Sequence, residues 1–152
     1  IAEAAALLNE IIDIGGTTAH QARFDAAAFE QEFLSGAHVA ACHVALDASG
    51  DVVGFQLLSH WDELPKDLAD IATFARPHPH KVPGVGRALF TQTKRVARAM
   101  GFASIDAVIR GDNSQGLGYY SAMGFSDHAV KPGVPLADGR MVDRIVKRYT
   151  FK

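Results

Sequence analysis

The sequence predicts a mixed α/β domain, built on a mostly antiparallel sheet with one central parallel pair of strands and flanked by helices. Three observations carry this reading. The apolar runs Val39–Leu46 and Val52–His60 are joined by Asp47-Ala-Ser-Gly-Asp51, whose glycine and small polar residues suit a hairpin, so the sheet opens antiparallel. From Asp70 onward the pattern alternates strand, helix, strand, helix and two strands, and a strand–helix–strand crossover implies a parallel pair. At 152 residues with 48% hydrophobic content, the chain fills one core and leaves no room for a second domain.

Each element follows from local chemistry. Ile1, Ala4, Ala5, Leu7, Leu8, Ile11 and Ile12 recur at helical spacing until Gly15-Gly16 stops them. Thr17-Thr18-Ala19-His20 reads as a polar loop. Asp25 is placed to cap a second short helix carrying Phe29, Phe33 and Leu34, closed by Gly36. After the hairpin, Asp70–Ala75 reads as a strand, broken by a loop holding Pro77, Pro79 and Pro83. Val85, Leu89, Val96 and Met100 then mark one face of a long helix that ends at Gly101. Ala103–Ile109 reads as a buried strand, Ser114–Met123 as a helix capped by Asn113, and Phe125–Val130 with Met141–Phe151 as a final strand pair. The chain opens on Ile1 directly in a helical pattern, from which we expect that a few N-terminal residues, a first strand among them, precede this single domain.

Composition excludes several classes of function. A formal charge of −2 offers no basic excess to neutralise phosphates, so neither nucleic acid nor an anionic membrane surface is an expected partner. No apolar run reaches the ~20 residues a bilayer requires, and the expected location is the cytoplasm. Cys42 is the only cysteine and lies in an apolar strand, so it reads as core and no internal disulfide can form. His78-Pro-His80 is the closest histidine pair among seven, but no third ligand stands at a standard spacing and no metal is expected. Lys94, Arg95 and Arg98 read as the solvated face of the long helix.

Two segments carry chemistry. Lys81-Val-Pro-Gly-Val-Gly-Arg-Ala-Leu89 puts two glycines between a strand and the first turn of a helix, where unpaired N–H groups and the helix dipole favour an anion. A glycine-softened helix start is the plainer alternative. A dinucleotide fold fits less well, because Leu89 stands where its third glycine belongs, and no Gly-Lys-Ser/Thr supports a Walker-type site. The second segment, Asn113-Ser-Gln-Gly-Leu-Gly-Tyr-Tyr-Ser-Ala-Met-Gly-Phe125, contains Gly116 and Gly118 inside a helix. Each costs roughly 1 kcal/mol against alanine there, which points to something close to that backbone. Tyr119 and Tyr120 are ~100° apart around the helix, so they are expected to serve different surfaces.

Together these segments resemble the GNAT superfamily of acyl-CoA-dependent N-acyltransferases. Lys81, Gly84 and Gly86 fall on the first, fourth and sixth positions of its Gln/Arg-x-x-Gly-x-Gly/Ala turn. Asn113, Gly116, Tyr120, Gly124 and Phe125 fall in register with its second motif. The resemblance implies acetyl-CoA as co-substrate, held between parallel strands that splay apart. Its pantetheine arm would lie on the main chain around Phe74 and Ala75, and its diphosphate on N–H groups near Val82 and from Gly84 through Val85 and Gly86 to Arg87. Lys81 in place of Gln or Arg keeps only a point charge, and Pro83 removes one N–H, so both departures bear on affinity. Tyr120 matches the family's proton donor. Asp70, at the start of the strand lining the cleft, is the candidate base, with a structural strand-end role or a water relayed by His60 or His78 as alternatives. A looser similarity to the amino-acid and phosphinothricin N-acetyltransferases implies that Thr17, Thr18 and the loop Lys131–Arg140 border the acceptor. The expected acceptor is a small-molecule amine or amino acid, with a protein amine second. A homodimer is compatible with the sequence, and a non-catalytic acyl-CoA-binding domain is the alternative from another class.

Overall fold

The computed structural model describes residues 1–152. The first helix, α1 (Ala2–Ile14), buries Leu7, Leu8, Ile11 and Ile12 along one stripe. It stops where Gly15 turns to φ 76°, a conformation that side chains with a Cβ resist. Asp25 caps α2 (Ala26–Glu30) by accepting the Ala28 N–H at 2.7 Å. The helix then widens into a π turn, Gln31–Ser35. This widened helix aims Phe29 and Phe33 at the sheet, with their rings stacked 4.7 Å apart. Leu34, expected on the same apolar face, is turned to solvent instead.

Six strands form one sheet in the order β1-β2-β3-β4-β6-β5: β1 (Val39–Leu46), β2 (Val52–Ser59), β3 (Leu68–Ala75), β4 (Ser104–Arg110), β5 (Ser126–Pro135) and β6 (Met141–Thr150). All pairs are antiparallel except β3 with β4, joined by α3 (Val85–Ala99), as the crossover pattern predicts. The sequence reading needs two corrections. β3 begins at Leu68, and Lys131–Pro135, expected as loop, continues β5 through a register shift between Lys131 and Val134. The last helix, α4 (Ser114–Ala122), follows β4.

The two faces of the sheet carry separate cores. On one, α1 and α2 cover Phe55, Leu57 and Phe74, with Phe33 wedged edge-on against both aromatic rings of the sheet. On the other, α3 and α4 cover Leu58, Ile71, Ile105 and Ala107 with Phe90, Tyr120 and Phe125. Phe33 is fully buried, and truncating it to alanine would cost about 3–5 kcal/mol. No helix is long and apolar enough to cross a membrane.

The feature that positions the site is an interruption between the parallel strands. β3 and β4 pair from Leu68↔Ser104 to Ile71↔Ala107, and no pair follows, although β3 runs on to Ala75 and β4 to Arg110. β3 stays paired with β2 through Gly54↔Ala75, so it is the β4 side that opens.

Candidate active site

The open edge exposes main-chain groups in a defined order. The Arg76 N–H donates to Val53 O at 3.0 Å, so alternate residues Phe74 and Ala72 turn their polar groups toward β2. Thr73 and Ala75 therefore present theirs to the gap. Phe74 contributes its ring to the core, stacked on Phe55 at 4.8 Å.

Above the gap, α3 begins at Gly84 in the left-handed region, φ 82°. No side chain caps this end, and the first N–H to reach a carbonyl is that of Ala88, on Gly84 O at 3.0 Å. The N–H groups of Val85, Gly86 and Arg87 are thus left for an anion at the positive end of a helix of 15 residues. Val85 and Val82 anchor the turn by packing on Val53 and Leu89, while Lys81 and Arg87 stay exposed. The space beside the Gly86 Cα does not serve a ligand. A Cβ there would lie 2.5 Å from Cε1 of Tyr119.

Tyr119 and Tyr120 do not divide between two surfaces as expected. Their rings meet edge-on at 4.9 Å and their hydroxyls enter one buried network. Tyr119 donates to Gly86 O at 2.7 Å, and Gln56 Nε2 donates both to the Tyr119 oxygen at 3.1 Å and to Thr73 Oγ1 at 2.9 Å. Thr73 Oγ1 lies 2.8 Å from the Tyr120 hydroxyl. Gln56 is fully buried, and its Oε1 has no partner. Burial holds both phenols above their ordinary range, so each keeps its proton at neutral pH.

Asp70 lies on the other face of β3, three residues before Thr73. It lines a pocket of about 140 Å³ with His20, Glu32, Phe33, Trp61 and Val108. Burial, reinforced by the charge of Asp106 on the neighbouring strand, pushes its carboxyl up to about 6, although Lys131 and His60 oppose this. Asp106 is itself held by Arg148 through two bonds of 2.6 and 2.9 Å. Burial lowers His20 below its ordinary value. Trp61 walls the pocket, stacked on His38 at 4.3 Å.

The remaining expected site residues are structural in their visible contacts. Asn113 caps α4 by accepting the Gly116 N–H at 2.9 Å and donates to Thr17 O at 3.0 Å. Arg110 donates to Thr18 O at 3.2 Å while paired with Asp112. Thr17 and Thr18 are therefore fixed to the end of β4 by their carbonyls, and it is His20, two residues on, that reaches the pocket. A Cβ on Gly116 would strike the Asn113 amide at 2.5 Å, whereas one on Gly118 would meet no neighbouring side chain within 4 Å.

Gln56, Thr73, Glu32, His20 and Trp61 escaped the sequence reading. The available signal was Gln56, a lone amide within the apolar run Val52-Val-Gly-Phe-Gln-Leu-Leu58. No group of His, Cys, Asp and Glu gathers in a way that would hold a metal ion.

The model of the acetyltransferase (GNAT) family matches residues 5–125. The chain belongs to this family. Its GNAT fold is shared with the phosphinothricin acetyltransferase of Sinorhizobium meliloti in complex with acetyl-CoA, at TM-score 0.82 and 20% identity over 97% of this chain and 80% of that one. A GCN5-related N-acetyltransferase from Kribbella flavida superposes at TM-score 0.81 and 19% identity, covering 99% and 91% of the two chains. The ribosomal-protein-alanine N-acetyltransferase of Brucella melitensis does so at TM-score 0.81 and 16% identity, covering 97% and 91%. At these identities the likeness is one of fold. No curated protein matches the sequence. As a GNAT acetyltransferase, the chain is an enzyme whose parted strands and uncapped α3 turn are the parts to be assigned a role.

Proposed function

We propose that this enzyme transfers the acetyl group of acetyl-CoA to the primary amine of a small molecule or amino acid by direct attack on the thioester. One observation carries the reading. Asp70 and the Thr73–Tyr120 pair emerge from opposite faces of one short stretch of β3, just where that strand leaves β4. A base on one side and an acid on the other are what aminolysis of a thioester needs, because the amine loses a proton and the departing sulfur gains one.

The residues present suit the donor. The N–H groups of Val85, Gly86 and Arg87 and the ammonium of Lys81 supply an anion site, and the main chain of Thr73 and Ala75 supplies an open strand edge for an amide-bearing arm. Asp70 takes the amine's proton, and with its carboxyl near 6 it is ionised at neutral pH yet basic enough to accept one. Tyr120 gives its proton to sulfur. The pocket beside Asp70 is small, which favours a compact acceptor over a protein chain. One unpaired cysteine is in keeping with a cytoplasmic setting.

The test is direct: incubate the protein with acetyl-CoA and a panel of amines, amino acids and peptide N-termini while following thiol release. Acceptor-dependent thiol release from small amines is the expected result, and release with peptides alone would overturn the acceptor assignment.

A further inference from the structure

We infer that Gln56 and Thr73 are positioning residues that set the direction of the hydrogen-bond chain ending at Tyr120, so that the Tyr120 proton points forward to the leaving sulfur. The inference rests on the proposed role of Tyr120 as proton donor.

The direction follows from counting protons. Gly86 O can only accept, so the single Tyr119 proton is committed to it at 2.7 Å. The Gln56 atom 3.1 Å from the Tyr119 oxygen must therefore donate, which fixes it as the amide nitrogen. The same NH₂ group gives its other hydrogen to Thr73 Oγ1 at 2.9 Å. The nearest further neighbour of Thr73 Oγ1 is the Tyr120 oxygen at 2.8 Å; the Tyr119 oxygen, which also bears on this hydroxyl, already accepts from Gln56, so the Thr73 proton goes to Tyr120. With Thr73 donating, Gln56, Thr73 and Tyr120 each pass one hydrogen along the chain. The Tyr120 proton then has no protein acceptor and is free for a group in the gap. In the reverse direction Tyr120 would spend its proton on Thr73, and the Thr73 proton would have to crowd onto the Tyr119 oxygen beside the Gln56 hydrogen already there. Hydrogen bonds aligned head to tail also strengthen one another, so the amide at Gln56 makes Thr73 the better donor.

The proton balance of the step is closed. The acceptor nitrogen bonds to the carbonyl carbon and gives its proton to Asp70, the carbon–sulfur bond breaks, and sulfur takes the Tyr120 proton. Solvent then returns the proton from Asp70 to the Tyr120 oxygen.

The test is a double-mutant cycle between Thr73 and Tyr120, read as kcat, KM and acetyl-CoA Kd. Thr73→Val should lower kcat at least ~10-fold, less than the ~10²–10⁴ expected for loss of the general acid itself, and leave Kd within twofold. Thr73→Ser, which keeps the hydroxyl, should restore at least half of the parental kcat. In a Tyr120→Phe background Thr73→Val should cause no further loss, because its effect runs through the missing phenol. A loss that multiplies in the double variant, or a Thr73→Ser enzyme as slow as Thr73→Val, would overturn the inference. Should Thr73→Val fail to fold, Thr73→Ala also removes the hydroxyl and is read in the same way. A Tyr120→Phe enzyme with parental kcat would instead overturn the proton-donor role itself, so the two failures are distinguishable.

Discussion

The hydroxyl of Tyr119 donates to the carbonyl of Gly86 at 2.7 Å, and its ring occupies the place where a Cβ on Gly86 would stand. The second glycine of the α3 turn is thus required by the neighbouring helix, whatever binds in front of it. Gly86→Ala should lower stability by about 1–3 kcal/mol, the range for overpacking, and Tyr119→Ala should relieve the clash in the double variant. Urea melts of the three variants check this. An alanine variant as stable as the parent would mean that the ring yields freely.

Tyr120→Phe should retain acetyl-CoA binding and lose ~10²–10⁴ in turnover. The phenol, held protonated by burial, faces a thiol with a reference pKa of about 8.5, and the transfer becomes favourable as charge builds on sulfur. Phenylalanine keeps the ring contacts with Phe125, so folding is spared. Steady-state kinetics beside an acetyl-CoA titration decide the matter.

Asp70 yields a pH prediction of definite sign. Its carboxyl must be ionised to act, so kcat/KM should fall as pH drops through about 6, and Asp70→Asn should abolish that limb. Stability runs the other way. Because burial raises the folded value from 3.8 to about 6, the folded state binds more protons in that window, and stability declines as pH rises from about 4 to about 6. Asp70→Asn should therefore melt higher than the parent at pH 7 and no higher at pH 4, which thermal scans at the two values test.

Asn113→Ala should cost about 1 kcal/mol through the lost α4 cap. It also frees Thr17 O, so the loop that leads to His20 loosens. Faster amide exchange across residues 15 to 20 is the expected signature, and unchanged exchange would show that Arg110 alone suffices to hold the loop.

The elements that announce themselves locally were legible in the sequence: Gly15 and Gly101 end α1 and α3 with φ 76° and 89°, and Asp25 and Asn113 cap α2 and α4 as expected. The end of β5 was not, since Pro132 and Gly133 read as a break and only pairing with β6 carries the strand past them. The α3 turn is legible from its local glycine spacing, whereas Asp70 and Tyr120 are singled out only through the resemblance to the family. The Gln56–Thr73–Tyr119 network could not be, since Gln56 and Tyr119 are 63 positions apart and meet only once the crossover has folded. A lone amide inside an apolar strand marks Gln56 as unusual, but one sequence does not say which groups it meets.

The gap between β3 and β4 makes the sheet a partition with a window in it. On the proposed function, a donor seated at α3 and an acceptor beside Asp70 would approach that window from opposite sides, so neither would have to leave for the other to arrive. No acetyl group would then have to be parked on the protein between visits, and the one cysteine, Cys42 on β1, is unfit to hold it, with burial pushing its thiol up to about 11. Double-reciprocal plots with both substrates varied should therefore give intersecting lines, the kinetic mark of a complex in which the two partners are present together.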